Sequence, residues 1–492
     1  MRPHAFKPGP LFMAMAIAAS APAAGADVPA GLAHALAELQ TRLTHLEAHN
    51  AELERRLAAA QESPALEPRV QQLERARDQL ESALASERLS QEDPEVANRL
   101  KAVEFQAQGL QRQARTLEAL EGIVAGVAFT SVAQRANAGA TLSGHAESQL
   151  AWRGDAQISL PGGHAGLLQG DLFFHFRMGQ GEGLGDLLPG FAATNAAAFQ
   201  LGGSGQADDA SPILAQAWYQ LQVPLDDRPP DDSHHHLEIT FGKIDPFLFF
   251  DQNAVADDET TRHLNLAFVH NPLLDAGGGA GLDAYGFTPG IRVAYQDRQS
   301  GPNGWGASVG VFGSGPGSAF DGSLRRPFAI AQLETRQQLF GGMEGNFRAY
   351  AWHNGRATAH DGVTLERQRG WGVSLDQRLG EGITAWGRYG HGTSGSPAFD
   401  RALTVGLDFA GSAWNRNDDG VGVALGWLAA ADTYRAAHPD VSGAEQLAEL
   451  YYRWRVLPQF ELTPDYQFIR RTGADRTAAD AHVVGLRAQL VF

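Results

Sequence analysis

The chain ends AHVVGLRAQLVF, Ala481 to Phe492. Counting back from the final phenylalanine, Leu490, Ala488, Leu486 and Val484 fall on one side of an extended chain, and Gln489 and Arg487 on the other. Successive side chains of a strand point to opposite faces, so a period of two predicts a strand with one apolar and one polar face. The same alternation runs back through the sequence. AELYYRWRV (Ala448–Val456) sends Leu450, Tyr452, Trp454 and Val456 one way, and Glu449, Tyr451, Arg453 and Arg455 the other. LTVGLDF (Leu403–Phe409), VGVALGW (Val421–Trp427) and WGVSLDQRL (Trp371–Leu379) repeat it, and Gly380-Glu381-Gly382 turns the last of these into ITAWGRYGHG as a hairpin. Similar runs lie at 168–178, 214–223, 287–297, 303–312, 328–339 and 345–354.

One apolar and one polar face also describe a soluble sandwich. Two features favour a membrane barrel: a charged face on almost every strand, and short Gly/Asp/Asn turns at alternate connections. No stretch after the N-terminus reaches 18 apolar residues, yet the chain is rich in glycine, 57 of 492, and has no cysteine. The closed β-barrel is the structure other than a helix that satisfies every backbone group in lipid. The stretch from 124 to 492 allows sixteen strands at about 23 residues each with their connections, which suits spans of 9–11 residues. The dyad strand with its terminal aromatic resembles the ends of outer-membrane proteins, and that resemblance implies recognition by the barrel-assembly machinery.

The N-terminal quarter has another period. Arg2 and Lys7, the run LFMAMAIAAS and Ala24-Gly25-Ala26 read as a secretory leader covering residues 1–26. From Leu32 the apolar residues step by four and three through Leu36, Leu39, Leu43, Leu46, Asn50, Leu53, Leu57 and Ala60, which predicts a coiled coil over 27–62. Asn50 at a core position fixes register at a cost in stability. Pro64, Pro68 and Pro94 interrupt a second helical segment and linker, 63–123, before the barrel at 124–492. The expected fold is an all-β transmembrane barrel of about sixteen antiparallel strands preceded by an α-helical coiled coil in the periplasm.

The net charge of −17 argues against nucleic acid as a partner. Without cysteine there is no thiolate nucleophile and no Cys-ligated metal. GASVG (Gly306–Gly310) matches the nucleophile-elbow pattern, but Ser308 sits inside a strand pattern with no helix after it. The adjacent histidines of DDSHHHLE (Asp231–Glu238) would point to alternate faces of a strand and cannot share one ion. The expectation is no enzyme, no cofactor and no metal.

The segment FGKIDPFLFFDQNAVADDET (Phe241–Thr260) holds Lys243, the only lysine after Lys101. LEITFGK places Leu237, Ile239 and Phe241 on the lipid face and Glu238, Thr240 and Gly242 on the luminal one, and Pro246 ends the ladder. A long connection follows, Phe247 to Gly286. It is expected to fold inward, with Phe247 to Phe250 anchoring it to the wall and Asp257, Asp258 and Glu259 lining the solute path. With LNLAFVHNP (Leu264–Pro272), YGFTPGIRVAY (Tyr285–Tyr295) and the closing AEQLAELYYRWRVLPQFELTPDYQFIRR (Ala444–Arg471), this segment resembles the carbohydrate-selective porin family of OprB type over about 130–492. The resemblance implies a sixteen-stranded outer-membrane channel that passes sugars by diffusion, with the coiled coil as an extension.

Inward faces supply the pore-lining candidates: Lys243, the acids of the connection, and Arg177, Arg292, Arg348, Arg388, Arg453 and Arg487. Asp171, Glu238, Asp376, Asp408 and Glu449 share those faces, as do Tyr350, Trp352, Trp386 and Tyr451. Sugars offer hydroxyls to charged groups and apolar ring faces to aromatics. The expected partners are small-molecule sugars, outer-membrane lipids, two further copies in a homotrimer, and peptidoglycan at the stalk. A general or ion-selective porin, or a tether from outer membrane to cell wall, are the alternative readings.

Overall fold

The computed structural model describes residues 123–200, 210–230, 232–274, 286–298, 303–314 and 323–492. The expected leader, coiled coil and second helical stretch lie outside the described residues.

Sixteen antiparallel strands among the described residues close into one barrel. They are β1 (Val124–Ala136), β2 (Glu147–Ala165), β3 (Leu168–Gln180), β4 (Ile213–Pro224), β5 (His235–Ile244) and β6 (Thr288–Asp297). Next come β7 (Trp305–Phe312), β8 (Phe328–Leu339), β9 (Met343–Thr358), β10 (Leu365–Gly380) and β11 (Ile383–Ser394). The rest are β12 (Phe399–Ala410), β13 (Gly420–Ala430), β14 (Ala444–Leu457), β15 (Phe460–Arg470) and β16 (Ala481–Val491). Each strand pairs with its sequence neighbours, and β1 closes the ring on β16, from Ala128 opposite Val491 to Ala136 opposite Val483. Phe492 finishes the seam: its N–H donates to Val127 O (2.8 Å), and its carbonyl accepts from Val127 N–H (3.0 Å). A closed ladder leaves no edge, which is the condition for strands in lipid.

The alternation read from the sequence sets the two surfaces. Along β10, Trp371 and Leu375 are exposed outward, whereas Gly372, Ser374 and Asp376 are buried inward. Along β16, Val484 and Leu486 are exposed outward, while Arg487 and Gln489 are buried inside. Ser308 lies mid-strand in β7, paired to Ala294 and Gln332, so no elbow exists there.

The start of β1 and the end of β16 share one rim with tight turns. Glu381-Gly382 joins β10 to β11 with Gly380 opposite Ile383, and Gly382 takes φ +72°, a conformation glycine adopts without strain. The opposite rim, called the far rim below, carries the long connections. Two of these, around Gly181–Gln200 and Asp245–Leu274, fold into the barrel. Phe247, Phe250, Phe268 and Leu273 join Leu184 and Leu188 in an apolar cluster against wall residues Phe312, Phe328, Trp352 and Leu428. The inward aromatics lie flat because glycines face them. A Cβ on Gly422 would sit 2.2 Å from the Tyr451 ring, and one on Gly372 2.6 Å from Tyr350. Ring over glycine on the adjacent strand leaves room for the loop beside it.

Candidate functional site

The connection after β5 packs on the inward face of the wall, and buried wall charges grip it. Asp251 has φ +57°, and the turn there is fixed by its carboxylate. That group accepts Tyr350 Oη (2.8 Å) and Asn271 N–H (2.6 Å), and pairs with Arg388 Nε (3.1 Å). Arg388 also donates to Asp251 O and Phe268 O, both at 3.1 Å. One wall arginine therefore ties two parts of the loop together. Further along, Glu449 accepts Leu264 N–H (2.6 Å) and Asn265 N–H (3.0 Å). Asn265 caps the one-turn helix Leu266–Val269 through Ala267 N–H. Asp408 takes Arg262 (2.6 Å) and the Tyr451 hydroxyl (2.9 Å). Asp376 accepts Ala254 N–H (3.2 Å) while it pairs with Arg348 (3.3 Å). Arg487 donates to Glu259 O and Arg262 O.

This grip changes the reading of several candidates. Arg388, Arg487, Asp376, Asp408 and Glu449 point inward as the alternation requires, but they are buried against the loop. Tyr350, Trp352, Trp386 and Tyr451 are likewise covered, none more than 6 % exposed. They pack the loop to the wall and do not offer open ring faces. Of the four large residues expected as an anchor, Phe247 and Phe250 are buried, Phe247 stacked 4.1 Å from the His270 ring. Leu248 is exposed, and Phe249 turns toward open space. Among the acids, Asp258 accepts from Thr260 N–H (2.8 Å) and from the Thr260 and Thr261 hydroxyls (both 2.6 Å). Glu259 pairs with Arg153 (2.7 Å), and Asp257 is half-buried.

The open space is a cavity of 310 Å³ between the loop and β4–β9, on the side of the loop that faces the β6–β7 turn. Trp218, Phe249, Glu238, Arg292, Gln252 and Arg348 line it, with Gln220, Gln296, Glu334, Arg336 and Asn346. Phe173 stacks on Trp218 at 4.8 Å, and Trp218 meets Phe249 edge-on at 5.9 Å. The Arg292 guanidinium lies 4.5 Å over the Phe249 ring and pairs with Glu238 (2.8 Å). The Nε atoms of Arg292 and Arg348 are buried without a hydrogen-bond partner, and Arg348 Nε stands 3.7 Å from the Glu334 carboxylate on the cavity wall. Candidates Arg292 and Arg348, with Glu238, thus meet at one cavity.

The remaining candidates lie elsewhere. Arg177 joins Arg153 and His175 on Asp155, each at 2.7 Å, and lies over the Phe287 ring. Lys243 follows Gly242, whose φ of +140° breaks the alternation, and its Nζ donates to Leu214 O (3.0 Å). Asp171 takes Gln222 (3.4 Å), and Arg453 is half-buried beside Gly420. Sequence reasoning missed Trp218, the Arg153–Asp155–His175 cluster and the second inward loop. Alternating Gln216, Trp218, Gln220 and Gln222 in 214–223, and Arg153 with Asp155 in WRGDA, were the available signals. The loop around Thr194, whose carbonyl accepts from Gln134 and Gln467 (both 2.8 Å), had none.

The family model described as carbohydrate-selective porin, OprB family, matches residues 95–492. The chain belongs to that family. The porin is similar to OprB of Pseudomonas putida in its high-pH structure, with a TM-score of 0.62 at 17 % identity over 78 % of this chain and 97 % of that one. The low-pH structure of the same protein gives 0.42 at 15 % identity over 79 % and 98 %. The outer-membrane channel DcaP of Acinetobacter baumannii gives 0.46 at 13 % over 75 % and 98 %. At such identities the likeness is one of fold. No curated protein matches the chain. Family and barrel together make this an outer-membrane porin.

The porin's loop carries a titratable group with a consequence. His263 is buried among Phe268, Trp386 and Tyr451, and burial pushes its imidazole down to about 3 despite nearby Asp408 and Asp465. A withdrawn loop would titrate His263 near 6.5 and so bind a proton that the docked loop does not. Docking is therefore fully stable above about pH 6.5 and loses up to about 1.4 kcal/mol per pH unit as pH falls toward 3. Burial opposes charge on Asp258 as well, but the threonine donors outweigh it and hold its carboxyl low, which adds to the loss at still lower pH. Current noise in planar bilayers is expected to rise from pH 6 to pH 4 and to rise less in His263→Phe. A flat profile in the parent would remove His263 from the docking balance.

Proposed function

We propose that the porin passes carbohydrates by passive diffusion, and that the cavity beside Phe249 is where the sugar is handled. The observation behind this reading is the combination of ring faces with paired charges: Phe249 and Trp218 beside Arg292, Glu238 and Arg348. Ring faces suit the apolar C–H surfaces of a pyranose, and the ion pairs exchange hydrogen bonds with hydroxyls while adding little net charge. A selective ion pore would instead present a ring of one sign. The homotrimer, and a periplasmic coiled coil over 27–62 reaching the cell wall, belong to the same proposal.

Liposome swelling tests it. Vesicles holding the purified chain are expected to swell faster with glucose than with a charged solute of similar size, such as gluconate. Equal rates would favour a general porin, and faster entry of the charged solute an ion-selective one.

A further inference from the structure

The lipid face of β9–β12 changes character toward the far rim. Mid-strand, its outward residues are apolar, with Leu375, Leu403 and Val405 exposed. Next come Trp371 and Tyr389, on neighbouring strands with rings 5.4 Å apart. Aromatic side chains at this height mark the level where hydrocarbon gives way to headgroups. One step further the same outward positions turn basic. Arg369 stands opposite His353 on β9, and His391 on β11 opposite Arg401 on β12. Arg367 lies two residues rimward of Arg369, and both arginines are exposed.

The patch lacks matching acid. Arg369 Nε donates to His353 Nδ1 (3.3 Å), and the His391 ring lies 6.1 Å from Trp371. The carboxylate beside it, Asp400, takes Arg401 (3.3 Å). Asp361, in the β9–β10 connection, caps its own turn through Val363 and Thr364 N–H. Glu366 accepts from Gln368 and Ser396. Among the described residues, no carboxylate pairs with Arg367 or Arg369. Two guanidinium groups on a lipid-facing wall, at headgroup height, want an anion that arrives with acyl chains below it. The guanidinium fork matches phosphate geometry, and the rings and leucines below match the acyl region.

We propose that Arg367 and Arg369, flanked by His353 and His391 and floored by Trp371, bind the phosphate of a membrane-lipid headgroup at the far rim. The site is distinct from the solute path, since it lies on the outer surface of the barrel.

Native mass spectrometry of the full chain in mild detergent, with bisphosphorylated lipid A as probe, tests this. Retention is expected to fall roughly tenfold or more in R367Q/R369Q. Arg135→Gln, an outward rim arginine on β1 bonded to Ser148, is expected to change it by no more than about twofold. Arg369→Lys keeps the charge but loses the fork, and should fall in between. Dephosphorylated lipid A should be retained no better by the parent than by the double variant. Heat-modifiable gel mobility reports that each variant is folded. Unchanged retention in R367Q/R369Q would overturn the proposal, as would equal retention of the dephosphorylated lipid. Inorganic phosphate bound as tightly as the lipid would overturn it too, because it would make this a free-anion site.

Discussion

Arg388→Ala is expected to release the inward loop while leaving the barrel intact. The change strands the Asp251 carboxylate, fully buried, with Tyr350 and Asn271 as its remaining donors. Removing one partner of a buried ion pair costs about 3–5 kcal/mol, because an uncompensated charge remains. It also removes the donors to Asp251 O and Phe268 O. The loss falls on loop docking, since the ladder hydrogen bonds of β11 do not involve the side chain. Limited proteolysis is expected to cut between 247 and 274 in this variant and not in the parent, with unchanged gel mobility. Asp251→Asn keeps a residue that tolerates positive φ and should loosen the loop in the same way. Replacing both Asp251 and Arg388 with neutral residues should cost less than either single change predicts by addition. A loop as resistant in Arg388→Ala as in the parent would show that the apolar cluster alone holds it.

The second large effect separates the two faces of one strand. Leu407 points to lipid three residues before the end of β12, opposite Ala385 and Val423, and Asp408 beside it points inward to Arg262 and Tyr451. Leu407→Arg is expected to cost less than the ~2–4 kcal/mol of a midplane arginine, because Leu407 lies toward the strand end, and still to deplete folded barrel from the outer membrane. Asp408→Asn should insert normally and show its damage in the loop, where Arg262 loses its counter-charge. The fraction of heat-modifiable protein in outer membranes distinguishes them. Equal depletion in both variants would overturn the facing assignment.

The barrel was legible because lipid enforces the alternation residue by residue. Trp371, Val373 and Leu375 had to point outward wherever the strand lay, and the terminal Leu486 and Val484 likewise. Pro246 marked the end of β5, and the length of the following connection marked the inward loop. What each inward charge touches was not legible. Arg388 and Asp251 stand 137 residues apart, and their meeting depends on ring closure and on the path of the loop together. Alternation gives a face, not a depth, so the buried Glu449 and the cavity-lining Glu238 read alike. Lys243 escaped for another reason: Gly242 at φ +140° resets the facing just before it. Asp258 and Glu259 read as a free acidic run, whereas local threonines and a distant arginine engage them.

The most direct test of the central claim is the effect of glucose on single-channel ion conductance in planar bilayers. If the sugar is handled at the cavity beside Phe249, added glucose lowers the conductance of the parent in a saturable way, and Phe249→Ala and Arg292→Ala each weaken that block. Conductance that glucose leaves unchanged, or a block that both variants retain in full, would contradict it.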